Sequence, residues 1–375
     1  MRVPFLDLKT QYQSIRGEIG DAVSRVLESG QFILGPEVSS FEDAFATLHT
    51  NEVSHPPHGV GTNNGTSALH LALWALGIKP GDEVLVPVNT FIATAEAVLL
   101  CGATPVFVDH DEYFTMDAEE VERHITRRTR AILAVHLYGQ IANMEAIRSI
   151  GERHGLLLIE DAAQAHLASL AGKKAGAWGS ATAFSFYPGK NLGAYGEAGA
   201  VLSSNATLVE TMRRLRDHGS KEKYTHVVAG HNYRLEALQA AILRAKLPHL
   251  DAWTEARRVN ADYYGKLLRK IPQVVLPRVR QGARHVYHLF VVEVPERDKL
   301  RAYLEQKEIG TGLHYPIPLH LQPCFASLGY KEGAFPRAEK SAKQIVSLPM
   351  YPELQKEQME FVAESIQQFY EGKPA

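Results

Sequence analysis

Leu156-Leu-Leu-Ile-Glu160-Asp161 stays apolar for four residues and then ends in two carboxylates. A strand apolar on both faces, instead of alternating, belongs in a parallel sheet covered by helices on either side. Working outward, the same kind of run recurs at Val84-Leu-Val-Pro87, Pro105-Val-Phe-Val-Asp109, Ala131-Ile-Leu-Ala-Val-His136 and Ala181 to Phe186. Helical patterns lie between them. Ser67 to Leu76 carries Leu69, Leu73 and Leu76 on one face, and Ala93 to Leu100 follows the next run. This alternation predicts a large α/β domain with a mainly parallel sheet. A long helical pattern begins at Leu235, is dented at Pro248 and resumes through Leu268. Beyond it come a strand (Tyr287 to Val294) and two helices (Arg297 to Lys307 and Lys356 to Tyr370), which read as a smaller C-terminal α+β domain. The expected division is residues 1–249 and 250–375.

The bulk numbers narrow the function. A chain of 375 residues, 45% hydrophobic and 22% charged, can bury a large core. A formal net charge of −2 offers no basic field for nucleic acid. No apolar run approaches the roughly 18 residues of a membrane helix. Met1-Arg-Val-Pro-Phe-Leu-Asp meets an acid at once, unlike a signal peptide. Cys101 and Cys324 sit among apolar and aromatic neighbours and are expected to be buried, reduced thiols. A cytoplasmic protein is the expectation. Among the seventeen histidines none falls in an H-E-x-x-H or Cys/His cluster, so no metal is expected.

Twenty-nine residues beyond Asp161, the run ending at Phe186 turns through Tyr187-Pro-Gly into Lys190, and Asn191-Leu-Gly-Ala-Tyr-Gly-Glu-Ala-Gly199 follows. A lysine amine with a depressed pKa attacks carbonyls and forms a Schiff base. A carboxylate is the partner that a protonated pyridine nitrogen needs. Together Lys190 and Asp161 suggest pyridoxal 5'-phosphate, with Glu160 the local competitor on the other side of the strand. Gly59-Val-Gly61-Thr-Asn-Asn-Gly65-Thr66-Ser67 precedes a helix, where free N–H groups bind anions. It is one residue too long for a dinucleotide fingerprint and lacks the Gly-Lys-Ser/Thr of a Walker loop. A plain helix cap remains its alternative. Phe91, in Asn89-Thr-Phe91-Ile-Ala-Thr94, is either a core residue or a face for a flat ring.

These segments, with Glu160-Asp-Ala-Ala-Gln164-Ala-His166 and Gly310-Thr-Gly-Leu-His314-Tyr-Pro-Ile-Pro-Leu-His320, resemble the DegT/DnrJ/EryC1/StrS sugar-nucleotide aminotransferases. The resemblance runs from Phe5-Leu-Asp-Leu to Ser347-Leu-Pro-Met-Tyr-Pro352. It implies a fold-type I aminotransferase in which Lys190 carries the cofactor and shuttles protons and Asp161 holds the ring nitrogen protonated. It further implies that Gly65, Thr66 and Ser185 bind the phosphate, Phe91 stacks on the ring and Gln164 meets the ring hydroxyl. Asn232, in Asn232-Tyr-Arg, would reach the cofactor phosphate of a neighbouring subunit, so a homodimer with shared sites is expected. His314 and Tyr315 would contact substrate. The implied partners are glutamate and a nucleotide-linked keto sugar. His136-Leu-Tyr-Gly-Gln140 and Lys223-Tyr-Thr-His226 are most like members aminating C3. Lysine at 190, where a dehydrating branch carries histidine, favours transamination. The alternatives are a C4 aminotransferase, a pyridoxal-phosphate lyase or decarboxylase, and a non-catalytic regulatory relative.

Overall fold

Each apolar run of the first two hundred residues is a strand in the computed structural model, which describes residues 1–50 and 56–372. The central sheet has seven strands: β1 (His58–Thr62), β2 (Glu83–Pro87), β3 (Thr104–Val108), β4 (Thr129–Val135), β5 (Leu157–Asp161), β6 (Ala181–Ser185) and β7 (Gly199–Ser203). Their spatial order is β1-β7-β6-β5-β4-β2-β3. Only β7 runs against its neighbours. The register sets Val135 beside Asp161, and Asp161 beside Ala183, so the carboxyl ends of three strands meet at one edge. In open parallel sheets that edge is where ligand groups gather.

Helices cover both faces, which is why the strands need not alternate. On one side Phe41 and Phe45 from the helix Pro36–Leu48 pack on Phe184 and Phe186. On the other, the helices Gly65–Ala75, Ile92–Leu100 and Ala206–Leu215 bury Leu71, Val98 and Met212. The long helical pattern is two helices, Ala237–Lys246 and Leu250–Leu268, joined by a short 3₁₀ turn at Leu247–His249 that contains Pro248. Proline removes a donor and clashes with the preceding turn, so the break falls there.

The helix Leu250–Leu268 begins in the core behind the sheet, at Leu250, and ends in a second core with Tyr264 and Leu268. That second core is built on an antiparallel pair, β8 (Phe290–Glu293) and β9 (Ile345–Leu348), with the helices Arg297–Gln306 and Lys356–Glu371. Val3 joins it through a bridge to Ile309. β8 starts three residues later than the sequence suggests. Tyr287 has a left-handed φ of 43°, and its N–H donates to His285 Nδ1, so the ladder cannot begin before it. One expectation fails outright: Cys101 is buried, but Cys324 is exposed on the short 3₁₀ helix Pro323–Leu328. Its aromatic neighbour Phe325 takes the buried face instead.

Candidate active site

Consecutive strand residues face opposite sides of a sheet, and this separates the two carboxylates that end β5. Glu160 points into the protein. It accepts hydrogen bonds from the backbone N–H groups of Gly176, Trp178 and Gly179, from the Thr182 hydroxyl and from His136 Nε2 at 2.9 Å. His136 Nδ1 accepts the Ala142 N–H, so Nε2 carries the hydrogen. Burial pushes the Glu160 pKa up, but these donors, His136 foremost, outweigh it and hold the carboxyl below its usual range. Glu160 is fully occupied with the fold.

Asp161 faces a cleft of about 1090 Å³. Its Oδ2 accepts the Thr94 hydroxyl at 2.8 Å and its Oδ1 the Ala163 N–H at 3.1 Å. Burial raises its pKa, and Thr94, Ala163 and the charge of Lys190 pull against that rise without cancelling it. Lys190 lines the same cleft, held by a backbone bond of 2.8 Å from its N–H to the Tyr187 carbonyl across the Pro-Gly turn. Desolvation lowers its amine to about 8, against the pull of Asp161. A buried carboxylate and a softened amine therefore face one another's space.

The cleft wall next to them is the N-terminus of the helix Gly65–Ala75, capped by Asn64, whose side chain accepts the Ser67 N–H at 2.8 Å. Gly65, Thr66 and Ser185 all line the cleft. A Cβ on Gly65 would stand 2.6 Å from the Ser185 Cβ, so only glycine lets this backbone close on the end of β6. Phe91 is 52% exposed and lies on the cleft, its ring 5.6 Å from that of Tyr315. It is not a core residue.

The opposite wall joins the loops after β4 and β5 to the C-terminal part. Gln164 Oε1 accepts the Tyr138 N–H at 2.7 Å, and its Nε2 donates to the Tyr315 hydroxyl at 3.3 Å. The Tyr138 hydroxyl donates to the His314 carbonyl. His314 shares a 2.8 Å hydrogen bond between Nδ1 and the Ser347 hydroxyl, stacks on Phe5 and is lowered to about 4 by burial and by Lys190. Burial raises the Tyr315 hydroxyl above the usual tyrosine range.

The cleft thus gathers Gly65, Thr66, Phe91, Asp161, Gln164, Ser185, Lys190, His314 and Tyr315. Asn232 is the exception. It is exposed, bridges Asp217 and lies off this cleft, although its neighbour Tyr233 lines it. Thr94, Tyr138 and His288 also belong to this site, and sequence reasoning misses all three. Thr94 lies within Asn89-Thr-Phe91-Ile-Ala-Thr94 and Tyr138 within His136-Leu-Tyr-Gly-Gln140, whereas nothing in the stretch Tyr287 to Val294 marks His288. Among the described residues no group of three or more His, Cys, Asp or Glu side chains is arranged to hold a metal.

Comparison with known proteins agrees with this geometry. A relative from Geobacillus stearothermophilus, named a pleiotropic regulatory protein, is 49% identical over 99% of both chains. A dTDP-3-amino-3,4,6-trideoxy-alpha-D-glucose transaminase from Streptomyces venezuelae is 47% identical, covering 99% of this chain and 97% of its own. The crystal structure of S. venezuelae DesV in complex with a ketimine intermediate superposes with a TM-score of 0.95 at 47% identity, covering 99% of both chains. The model of one aminotransferase family matches residues 13–367. On that match, and on a sheet and cleft of the fold-type I plan, the chain belongs to the DegT/DnrJ/EryC1/StrS aminotransferase family.

Proposed function

We propose that the protein transfers an amino group from glutamate to C3 of a nucleotide-linked keto-deoxysugar, with pyridoxal 5'-phosphate as carrier. The observation that carries this reading is the pairing of Asp161 and Lys190 on one cleft, the first buried and anchored, the second lowered to about 8. The residues present fit the cofactor. The glycine at 65 and the capped helix start make a phosphate cradle, and Phe91 offers an exposed aromatic face.

When bound, the cofactor supplies the electron sink that lets an amine and a ketone exchange nitrogen. The chain does the rest. Gly65, Thr66 and Ser185 hold the phosphate, and Phe91 orients the ring. Asp161 keeps a proton on the ring nitrogen, and Thr94 fixes the carboxylate in place. Gln164 orients the ring hydroxyl. Lys190 anchors the cofactor, then takes and returns the proton at the donor's α-carbon. His314 and Tyr315 meet the sugar.

The C3 assignment draws support from the Streptomyces venezuelae relative, named for a 3-amino sugar. A second reading is favoured by one observation: the Geobacillus stearothermophilus relative bears a regulatory name. The complete set Lys190, Asp161 and Gln164 on one cleft speaks for catalysis. The working unit is a homodimer in which the partner's Asn232 completes the phosphate site. Its exposure supports this, as do the exposed apolar side chains nearby in the chain fold, Phe32, Ile33, Val227 and Val228. Residues 1–249 and 250–375 are taken as two units, a division supported by the core built mainly from the second around β8 and β9. The place of action is the cytoplasm. Among the described residues no helix is long and apolar enough to cross a membrane.

The deciding experiment offers purified protein a panel of nucleotide-linked 3-keto and 4-keto sugars with glutamate. Product mass and the NMR position of the new amine identify the reaction. Amination at C4, or none with any sugar, would overturn the reading.

A further inference from the structure

His288 lines the cleft but has no part in the reading above. Its orientation can be worked out without seeing a hydrogen. Asn191, buried and next in sequence to Lys190, contacts the Val286 carbonyl through Nδ2 at 3.0 Å. A carbonyl only accepts, so the amide nitrogen is on that side and Oδ1 faces His288. Oδ1 in turn only accepts, so the 3.2 Å contact with His288 Nδ1 makes that nitrogen the N–H. Nε2 is left with a lone pair. Asn191 is buried and off the cleft, so the ring edge bearing Nε2 is the one turned toward it. The backbone that carries the ring is held by the Arg257 guanidinium, which donates to the carbonyls of Tyr287, His288 and Met350, and the ring itself is held by Asn191.

We propose that His288 is a positioning residue for Lys190: its Nε2 accepts an N–H of the amine whenever that amine is free, aiming the nitrogen's lone pair at the reacting carbon. The charged and titratable groups around His288 are Lys190, Arg257, His314 and His166, and burial, followed by the charges of Lys190 and Arg257, keeps the imidazole uncharged. Asp161 is the other group acting on the amine. The inference rests on Lys190 being the reacting amine, but not on which sugar is aminated.

The test uses the full chain freed of cofactor and measures an amine, not turnover. Trace acetylation from about pH 6 to about 11, with the Lys190 peptide quantified by mass spectrometry, gives the pH midpoint of that amine. An acceptor stabilises the ammonium form, so losing it lowers the midpoint. His288→Asn keeps a donor toward Asn191 but ends short of Nε2, whereas His288→Gln can place a carbonyl oxygen there. The midpoint should fall by about one unit in His288→Asn and stay within about 0.3 of the parent in His288→Gln. An unchanged or raised midpoint in His288→Asn overturns the proposal, as does an equal fall in both variants. Matching circular dichroism and melting curves keep the comparison among folded proteins. A failure of the sugar assay with this pattern intact would count against the substrate, not against His288.

Discussion

Lys190 and Asp161 differ from other lysines and aspartates of the chain in what surrounds them, and three expected outcomes follow. Lys190→Ala should cut turnover by at least about a thousandfold with the fold retained. Borohydride reduction and peptide mapping should place the cofactor on Lys190, and finding it on Lys173, Lys174 or Lys221 would move the role. Asp161→Asn should retain much of the cofactor yet lose at least about a hundredfold in rate, because a neutral amide holds a ring proton poorly. A near-native rate there would end the assignment. The third outcome is a pH dependence. Burial lowers the amine to about 8, so the reactive free base grows as pH rises and saturates above that value. Capture of cofactor by the stripped protein, followed by absorbance, should quicken about tenfold per pH unit below that point and then level off. A rate that falls with rising pH would contradict this sign.

At the level of strands and helices, β5 shows what could be read in advance. Its unbroken apolar stretch indicates the parallel sheet, and its period of two puts Glu160 and Asp161 on opposite faces without saying which face meets the cleft. What stayed hidden was who holds them. Thr94 lies 67 residues from Asp161 in sequence, and Asn191 lies 97 from His288. No local pattern encodes a partner so distant, because the first bond exists only once β2 and β5 share a sheet and the second only once the C-terminal part has met that sheet. The role proposed for Asn232 rests on resemblance, since the residue lies off its own chain's cleft. The late start of β8 was hidden for another reason: a left-handed tyrosine leaves no mark in an apolar run. The hidden bonds to Glu160 carry energy. Glu160→Ala would strand three N–H groups, a hydroxyl and His136 in the interior, and should destabilise by about 3–5 kcal/mol. Chemical denaturation of the cofactor-free protein measures it, and a loss below about 1 kcal/mol would show that water or repacking satisfies those groups.

For the assembled protein, the proposed sharing of Asn232 makes a specific expectation. Chains with Lys190→Ala and chains with Asn232→Ala should each be impaired as homodimers. Mixed, they form heterodimers with one doubly altered site and one intact site, so activity should return to about half a wild-type complement per heterodimer. Confirmed heterodimers without recovered activity would place Asn232 in its own chain's chemistry or outside it. The cleft has a further consequence. It draws Lys190 and Asp161 from the sheet and His288, His314 and Tyr315 from the chain beyond it, so it exists only while the body built on the sheet and the body built on β8 and β9 stay in register. Such a seam behaves as a fuse: as urea rises it should part before either body melts. Enzyme stored or shipped under mild stress would then lose activity while its circular dichroism still reports an intact protein, and dilution into buffer should restore it.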